Sequence, residues 1–265
     1  MKEFLAVAED AARQAGSFLL EQLNNKRDIY YKGEGHKDPF SKADTGAEKI
    51  VIDTISSAFP EHSFLSEEGG GNENTSDYMW VVDPLDGTIN YNHRFRHFAV
   101  SISLLHREDI IVGVVYAPST DEMFSAVKGG GAYLNKQKVS VSGVNVLEES
   151  LVATAFPYDR KSEEFRKSEK NFLRLLRDAQ AVRRAGSAAL DLCNVACGRY
   201  DGFSVVGDKL WDCAAGIILV TEAGGRATDF IGNPFSTSSD KNEVLATNGK
   251  IHDIVLRIFK EEKTA

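Results

Sequence analysis

The stretch Trp80-Val81-Val82-Asp83-Pro84-Leu85-Asp86-Gly87-Thr88 decides the reading of this chain. An apolar strand, Met79 to Val82, ends abruptly in Asp-Pro-x-Asp-Gly-Thr. Asp83 stands at the strand's end, where loops carry functional side chains on a rigid base. Pro84 fixes the turn and brings no N–H. Asp83 and Asp86 are close enough in sequence for a bend to aim both carboxylates at one centre. Gly87 permits close approach of a ligand or an unusual backbone angle. Thr88 supplies a hydroxyl and opens a helix start, whose free N–H groups favour an anion. Hard oxygen donors around a turn suit Mg²⁺. The plainer reading is an Asx turn that caps a helix.

The surroundings of that stretch are acidic. From Glu67 to Asp86 there are six acids (Glu67, Glu68, Glu73, Asp77, Asp83, Asp86) and no Lys or Arg. Either the window is a solvated loop, or something cationic belongs there. Ser66-Glu67-Glu68-Gly69 follows the apolar Phe64-Leu65, a second strand end carrying carboxylates. Far along the chain, Trp211-Asp212-Cys213-Ala214-Ala215-Gly216 places an acid at the start of an apolar helix. For Asp212 the plainer alternative is a simple N-cap.

Around these motifs the chain divides into two rhythms. Residues 4–24 read as a helix, and a second helix starts near Asp44 and ends at Pro60. Phe98 to Leu105 and Ile110 to Tyr116 are strand-like, with His106-Arg107-Glu108-Asp109 between them as a hairpin turn. Glu122 to Val127 and Ala132 to Leu134 continue the meander. After about residue 145, strands (151–156, 182–184, 203–206, 244–247) alternate with helices (162–178, 187–197, 211–223, 251–260), the signature of an α/β half. The expectation is residues 1–145 as an α+β half with most of the metal ligands. Residues 146–265 form an α/β half with a substrate loop and Asp212, the two sharing an extensive interface as one compact unit.

Composition bounds the rest. The chain has 265 residues, 42% hydrophobic and 26% charged, which excludes disorder throughout. No apolar run approaches the roughly 20 residues of a membrane helix. Met1-Lys2-Glu3-Phe4 enters an amphipathic pattern rather than a signal peptide. Three cysteines give no disulfide framework and fit a reducing cytosol. A net charge of −8 makes nucleic acid and anionic membranes poor partners. The expectation is a cytoplasmic protein.

Together these residues resemble the inositol monophosphatase family, part of the Mg²⁺-dependent, lithium-sensitive phosphatase superfamily. The motifs are Glu67-Glu68, Asp83-Pro84-Leu85-Asp86-Gly87-Thr88-Ile89-Asn90-Tyr91 and Trp211-Asp212-Cys213-Ala214-Ala215-Gly216. Lesser ones are Asp38-Pro39-Phe40-Ser41-Lys42-Ala43-Asp44, Gly129-Gly130-Gly131-Ala132-Tyr133-Leu134-Asn135, Gly186-Ser187-Ala188-Ala189 and Glu222-Ala223-Gly224-Gly225. The resemblance implies alternating α/β/α/β/α layers, two to three Mg²⁺ per site, a small phosphorylated substrate and a homodimer. It implies that Glu67, Asp83 and the Leu85 carbonyl hold one metal. Asp83, Asp86 and Asp212 hold a second, and a third leans on Glu67 through water. Four carboxylates bring about −4 and a phosphate monoester about −2, which three Mg²⁺ would neutralise. Water activated by metal would attack phosphorus in line, with Glu67, Thr88 and Asp44 orienting and deprotonating it. Gly87 and Thr88 would bind phosphate, and Lys32 would help place the phosphate or a water. Asp86, Arg184, Gly186, Ser187, Ala188 and Asp212 would meet the substrate. The family's usual Glu before the Trp-Asp motif aligns with Val205, which weakens the case for strict inositol specificity.

Other features are set aside. Cys193 and Cys197 share helical spacing but read as a buried face. His93 and His97 lack the Glu of a zincin and read as lining or bordering the site. The Gly69 to Gly71 run lacks P-loop spacing. Asn74-Thr75-Ser76 fits a glycosylation sequon. Residues 160–184 carry nine Lys/Arg and four Asp/Glu; Phe165, Phe172, Leu173 and Leu176 make that segment a solvated amphipathic helix. The reading is therefore a phosphatase acting on inositol 1-phosphate or a related polyol or sugar phosphate. Alternatives are a fructose-1,6-bisphosphatase or a 3′-phosphonucleotide phosphatase, and, from another class, a non-catalytic regulator on this fold.

Overall fold

The computed structural model describes residues 1–23, 29–31, 39–69, 76–239 and 242–260. The chain opens with α1 (Lys2–Gln22), whose Ala8, Ala11, Ala12, Ala15 and Leu19 form a buried stripe at helical spacing. Small side chains on that stripe let the helix lie close to its neighbours. Two short strands, β1 (Ile29–Tyr31) and β2 (Pro39–Ser41), pair antiparallel. Next, α2 (Lys42–Ala58) buries Ala47, Val51 and Ile55 and stops just before Pro60.

A seven-stranded sheet follows in strict chain order. Its members are β3 (Ser63–Ser66), β4 (Tyr78–Asp86), β5 (Ala99–His106), β6 (Asp109–Ala117), β7 (Glu122–Val127), β8 (Gly131–Leu134) and β9 (Gln137–Val139). Only β3 and β4 run parallel, so their C-terminal ends, at Ser66 and Asp86, reach the same edge of the sheet. The short helix α3 (Thr88–Asn92) interrupts the sheet between β4 and β5.

The second sheet contains β10 (Leu151–Thr154), then α4 (Glu163–Asp178), β11 (Ala181–Arg183), α5 (Ala188–Ala196), β12 (Gly202–Asp208), α6 (Leu210–Glu222), β13 (Arg226–Thr228), β14 (Asn242–Thr247) and α7 (His252–Lys260). Its strand order is β11-β10-β12-β14-β13, parallel through β12 and antiparallel beyond. The boundary expected at residue 145 lies between β9 and β10.

Three apolar layers hold the sheets. α1 and α2 pack on β4–β6 through Trp80, Val82, Ile102, Val112 and Val114. Helices α5 and α6 are buried between the sheets, where Leu192, Val195, Ile217 and Val220 meet Val115, Phe124, Phe203 and Val244. α4 and α7 cover the outer face with Leu175, Val255 and Leu256 against Val152, Val206 and Leu245. These are the α/β/α/β/α layers the resemblance implied. Among the described residues no helix is long and apolar enough to cross a membrane.

Some local expectations change. β4 does not stop at Val82 but continues through Pro84 to Asp86, with a register shift between Asp83 and Asp86. Such an irregularity tolerates a residue without an N–H. On α4, Ser168, Asn171 and Leu175 face inward while Leu173 and Leu176 are exposed, so the buried face is rotated from the one expected.

Candidate active site

Site chemistry collects where the two sheets meet around α3, α5 and α6. A cavity of about 400 Å³ is lined by Glu67, Asp83, Leu85, Asp86, Gly87, Thr88, Arg184, Gly186, Ser187, Ala188 and Asp212, together with residues 155–159, Asp208 and others. Glu67 follows β3, while Asp83 and Asp86 lie at the C-terminal end of β4. Asp212 sits in the first turn of α6, from the second half of the chain.

Each acid is held by its backbone surroundings. Asp83 is 1% exposed, and its Oδ1 accepts the Leu85 N–H at 2.9 Å. Asp86 accepts from the Ser187 hydroxyl and from the N–H groups of Ala188 at 3.3 Å and Ala189 at 2.9 Å. The start of α5 thus grips an acid on β4, and Ser187 and Ala188 act first on Asp86. Asp212 Oδ2 accepts the Lys209 N–H at 3.0 Å, so it closes a capping box on α6 from its third position. That box is a variant of the plain N-cap considered for Asp212, and it coexists with lining the cavity.

Burial, then the like charges of Glu67, Asp86 and Asp212, push the Asp83 carboxyl well above its ordinary range. Asp86 is pushed up to about 6, chiefly by burial, against the stabilising bonds from Ser187 and the α5 N–H groups. Asp212 rises through burial and then through Asp208, Glu67 and Asp86. This donor set fits a hard divalent cation: only carboxylate and carbonyl oxygens, costly to keep anionic together and relieved by positive charge. Among the described residues no group of three or more His, Cys, Asp or Glu side chains is drawn tightly enough together to hold a metal by itself. Mg²⁺ sites commonly draw on one or two carboxylates plus water and phosphate oxygens, for which this open cavity has room.

Thr88 links the cavity to a buried acid. Its hydroxyl lies 3.3 Å from Asp44 Oδ1 and 3.0 Å from the Leu85 carbonyl oxygen. Asp44, 2% exposed in the first turn of α2, does not line the cavity and reaches it through Thr88. Gly87 has φ +92°, and a Cβ there would meet the His97 carbonyl oxygen at 3.0 Å and the Gly186 carbonyl oxygen at 3.2 Å. Asn90 fastens the same join: its Nδ2 lies 2.8 Å from the His97 carbonyl oxygen and 2.9 Å from that of Ala185.

Several expected neighbours are elsewhere. Val205 does not face the cavity; it is 2% exposed in the apolar layer between the sheets. His93 and His97 do not line the cavity; His97 touches it only through its backbone behind Gly87. Cys193, fully buried on α5, and Cys197, at the end of that helix, carry free thiols. Lys32, Glu73, the Gly70-Gly71 part of the glycine run and the Asn74-Thr75 part of the sequon lie outside the described residues.

Two acids were missed. Asp208 lines the cavity and is pushed up to about 7 by burial and then Asp86. Its signal was present: Gly207-Asp208 ends an apolar strand, as Asp83 does. Asp191, fully buried on α5 behind Ser187, has neither carboxylate oxygen hydrogen-bonded among the described residues. Burial and then Asp86 raise its carboxyl well above the ordinary range. Nothing in the sequence set it apart from a polar residue of an amphipathic helix.

An acid-lined cavity where the two halves of the chain meet, floored by an Asp-Gly-Thr turn, offers oxygen donors of the kind divalent cations take. Over residues 1–264 this chain matches the model of the inositol monophosphatase family, and it belongs to that family. It is 37% identical over 274 residues to an inositol monophosphatase of Dictyostelium discoideum, covering 100% of this chain and 98% of that one. It is 40% identical over 266 residues to Nus factor SuhB of Escherichia coli (strain K12), covering 99% and 97%. The solved inositol monophosphatase of Anabaena (Nostoc) sp. PCC 7120 superposes with a TM-score of 0.86 at 40% identity, covering 97% and 95%. The family is generally Mg²⁺-dependent.

Proposed function

We propose that this chain is a cytoplasmic, Mg²⁺-dependent phosphomonoesterase that hydrolyses inositol 1-phosphate or a related small polyol or sugar phosphate. The observation that carries this reading is the convergence of Glu67, Asp83, Asp86 and Asp212, from both halves of the chain, on one cavity beside Gly87 and Thr88. Glu67, Asp83, the Leu85 carbonyl, Asp86 and Asp212 would hold two to three Mg²⁺. When bound, Mg²⁺ supplies charge neutralisation, Lewis acidity and a lowered pKa for coordinated water.

The chain's own groups do the rest. Glu67 accepts the proton of the attacking water, and the Thr88 hydroxyl, braced by Asp44, orients that water. N–H groups of Gly87 and Thr88 hold phosphate oxygens, keeping the phosphorus in line. Ser187 and Ala188 hold the Asp86 carboxylate in place and, with Gly186 and Arg184, border the alcohol portion. Asp212 stands where the leaving alcohol needs a proton relayed to it. In this reading residues 1–145 and 146–265 work as one unit, because neither half completes the acid set. A homodimer is part of the proposal, with Arg183 and Arg184 supporting both site and contact.

The relatives carrying the name Nus factor SuhB favour a second role, as a regulatory binding protein on the same fold. The basic segment 160–184 is its candidate surface. A pure regulator has no use for the full acid set, so this role is an addition to catalysis rather than a replacement.

Phosphate release tests the proposal, measured with and without Mg²⁺ on inositol 1-phosphate, fructose-1,6-bisphosphate, a 3′-phosphonucleotide and histidinol phosphate. The expected result is Mg²⁺-dependent turnover led by inositol 1-phosphate. Absence of Mg²⁺-dependent turnover on every substrate would reject the enzyme, and preference for another member of the set would reassign the substrate.

A further inference from the structure

Helix α2 carries two buried acids one turn apart, Asp44 and Glu48. Residues four apart on a helix share a face. Asp44 braces the Thr88 hydroxyl. Glu48 meets the end of β3 and, like Asp44, does not line the cavity. Its Oε2 accepts the Ser66 hydroxyl and, at 3.0 Å, the Glu68 N–H.

Glu67 lies between those two donors in the chain. Its own N–H bonds the Val82 carbonyl oxygen at 3.2 Å, and the Gly69 N–H bonds the Ser66 carbonyl oxygen at 3.2 Å. Glu67 and Glu68 are thus the central residues of a tight turn, with Gly69 at φ +83° beyond them. The turn leaves β3, the edge strand of the seven-stranded sheet, so a neighbouring strand holds it on one side alone. Glu48 supplies the second hold, from both flanks of Glu67 at once. Packing would be served by an apolar side chain on this face, as Ala47, Val51 and Ile55 serve it. A buried acid is costly unless donors meet it, and the donors here are the two neighbours of Glu67.

We propose that Glu48 is a positioning residue for the reaction: by fastening Ser66 and the Glu68 N–H, it sets the Glu67 carboxylate in the cavity wall. This rests on the phosphatase reading above and adds to it the group behind Glu67. A displacement of about 1 Å in a reacting group costs on the order of a hundredfold in rate.

Kinetics on inositol 1-phosphate and Mg²⁺ titration calorimetry without substrate test the inference. Glu48→Ala should lower kcat about ten- to hundredfold at saturating Mg²⁺, with KM within about threefold. It should also weaken Mg²⁺ binding about tenfold. Glu48→Gln offers a carbonyl oxygen to the same two donors, so it should bring kcat and Mg²⁺ binding to within about fivefold of wild type. In a Glu67→Ala background, Glu48→Ala should cost less than about twofold, because a residue acting through Glu67 has nothing left to act on. A Gln variant as impaired as the Ala variant would overturn the inference. So would wild-type kcat or Mg²⁺ binding in Glu48→Ala, or an undiminished loss in the Glu67→Ala background. Should Glu48→Ala fail to fold, Ser66→Ala decides: losing one of the two bonds should lower kcat at least about threefold, and an unchanged kcat would overturn the inference. Failure of the phosphatase reading looks different: wild type would release no phosphate from any substrate, while Mg²⁺ binding would still separate Glu48→Ala from Glu48→Gln.

Discussion

Thr88 makes the residue-scale claim sharpest. One hydroxyl, with one proton, lies within hydrogen-bond reach of both Asp44 Oδ1 and the Leu85 carbonyl oxygen. Both are acceptors, so whichever takes the proton, the hydroxyl oxygen keeps a lone pair for the attacking water. Thr88→Val keeps the shape and removes the hydroxyl. Its kcat should fall about a hundredfold or more, with KM within about threefold, because the lost group acts on the water and not on substrate binding. Thr88→Ser should recover most of the rate. Steady-state kinetics decide the point; a Val variant keeping a third of wild-type kcat would remove Thr88 and Asp44 from the mechanism. This residue was legible from its motif alone. Asp191 was not, because a buried carboxylate with no hydrogen bond among the described residues obeys no sequence pattern.

At the scale of elements, His252 shows how the outer layer is pinned. It begins α7 and is fully buried, with Nε2 2.9 Å from the Thr228 hydroxyl on β13 and Nδ1 2.9 Å from the Thr247 hydroxyl on β14. Thr228 gives its own proton to the Asp229 carbonyl oxygen, so it accepts from Nε2–H, and Thr247 donates to Nδ1. A second proton on the ring would face the Thr247 hydroxyl, which would have to give up donating to Nδ1 and turn to accept it. Burial, then Arg226, lowers the imidazole to about 4 from its ordinary 6.5. Above 6.5 the ring is neutral whether folded or unfolded. Between 6.5 and 4 the unfolded chain binds a proton that the folded one refuses, so stability falls as pH falls, by up to about 1.4 kcal/mol per unit. The cavity acids have the opposite sign: Asp86, pushed up to about 6, and Asp208, to about 7, add stability at low pH that is lost as pH rises through those values. Denaturant unfolding of wild type and His252→Gln from pH 7 to 4.5 separates the two. The difference between them should shrink as pH falls, and a constant difference would contradict the account of the ring.

Element boundaries were readable where periodicity was long, as in α1, α2 and β5–β7. The strands β9 and β13 escaped because three residues with polar or charged members carry no alternation to detect. The register shift in β12, between Val206 and Asp208, escaped for a different reason. Its cause is the left-handed turn at Gly207, and its effect, moving Asp208 rather than Val205 to the cavity, exists only once strands are paired.

Over the whole molecule, the layer between the sheets decides whether the two halves make one site. α6 lies so close on β6 that a Cβ at Gly113 would come within 2.8 Å of the Ala215 carbonyl oxygen. α5 reaches across to Asp86 through Ser187, Ala188 and Ala189. This buried layer fixes Asp212 opposite the end of β4, so the four acids proposed to hold metal, three from the first half and one from the second, share a cavity. The sequence supplied the four acids and their order, while their convergence depends on that packing. The most direct test is phosphate release from inositol 1-phosphate, with Mg²⁺ and with EDTA, by wild type and by Asp212→Asn. The account predicts Mg²⁺-dependent release by wild type and a loss of about a thousandfold or more in Asp212→Asn, with its unfolding transition intact. Release that persists in EDTA, or an Asp212→Asn variant within tenfold of wild type, would contradict it.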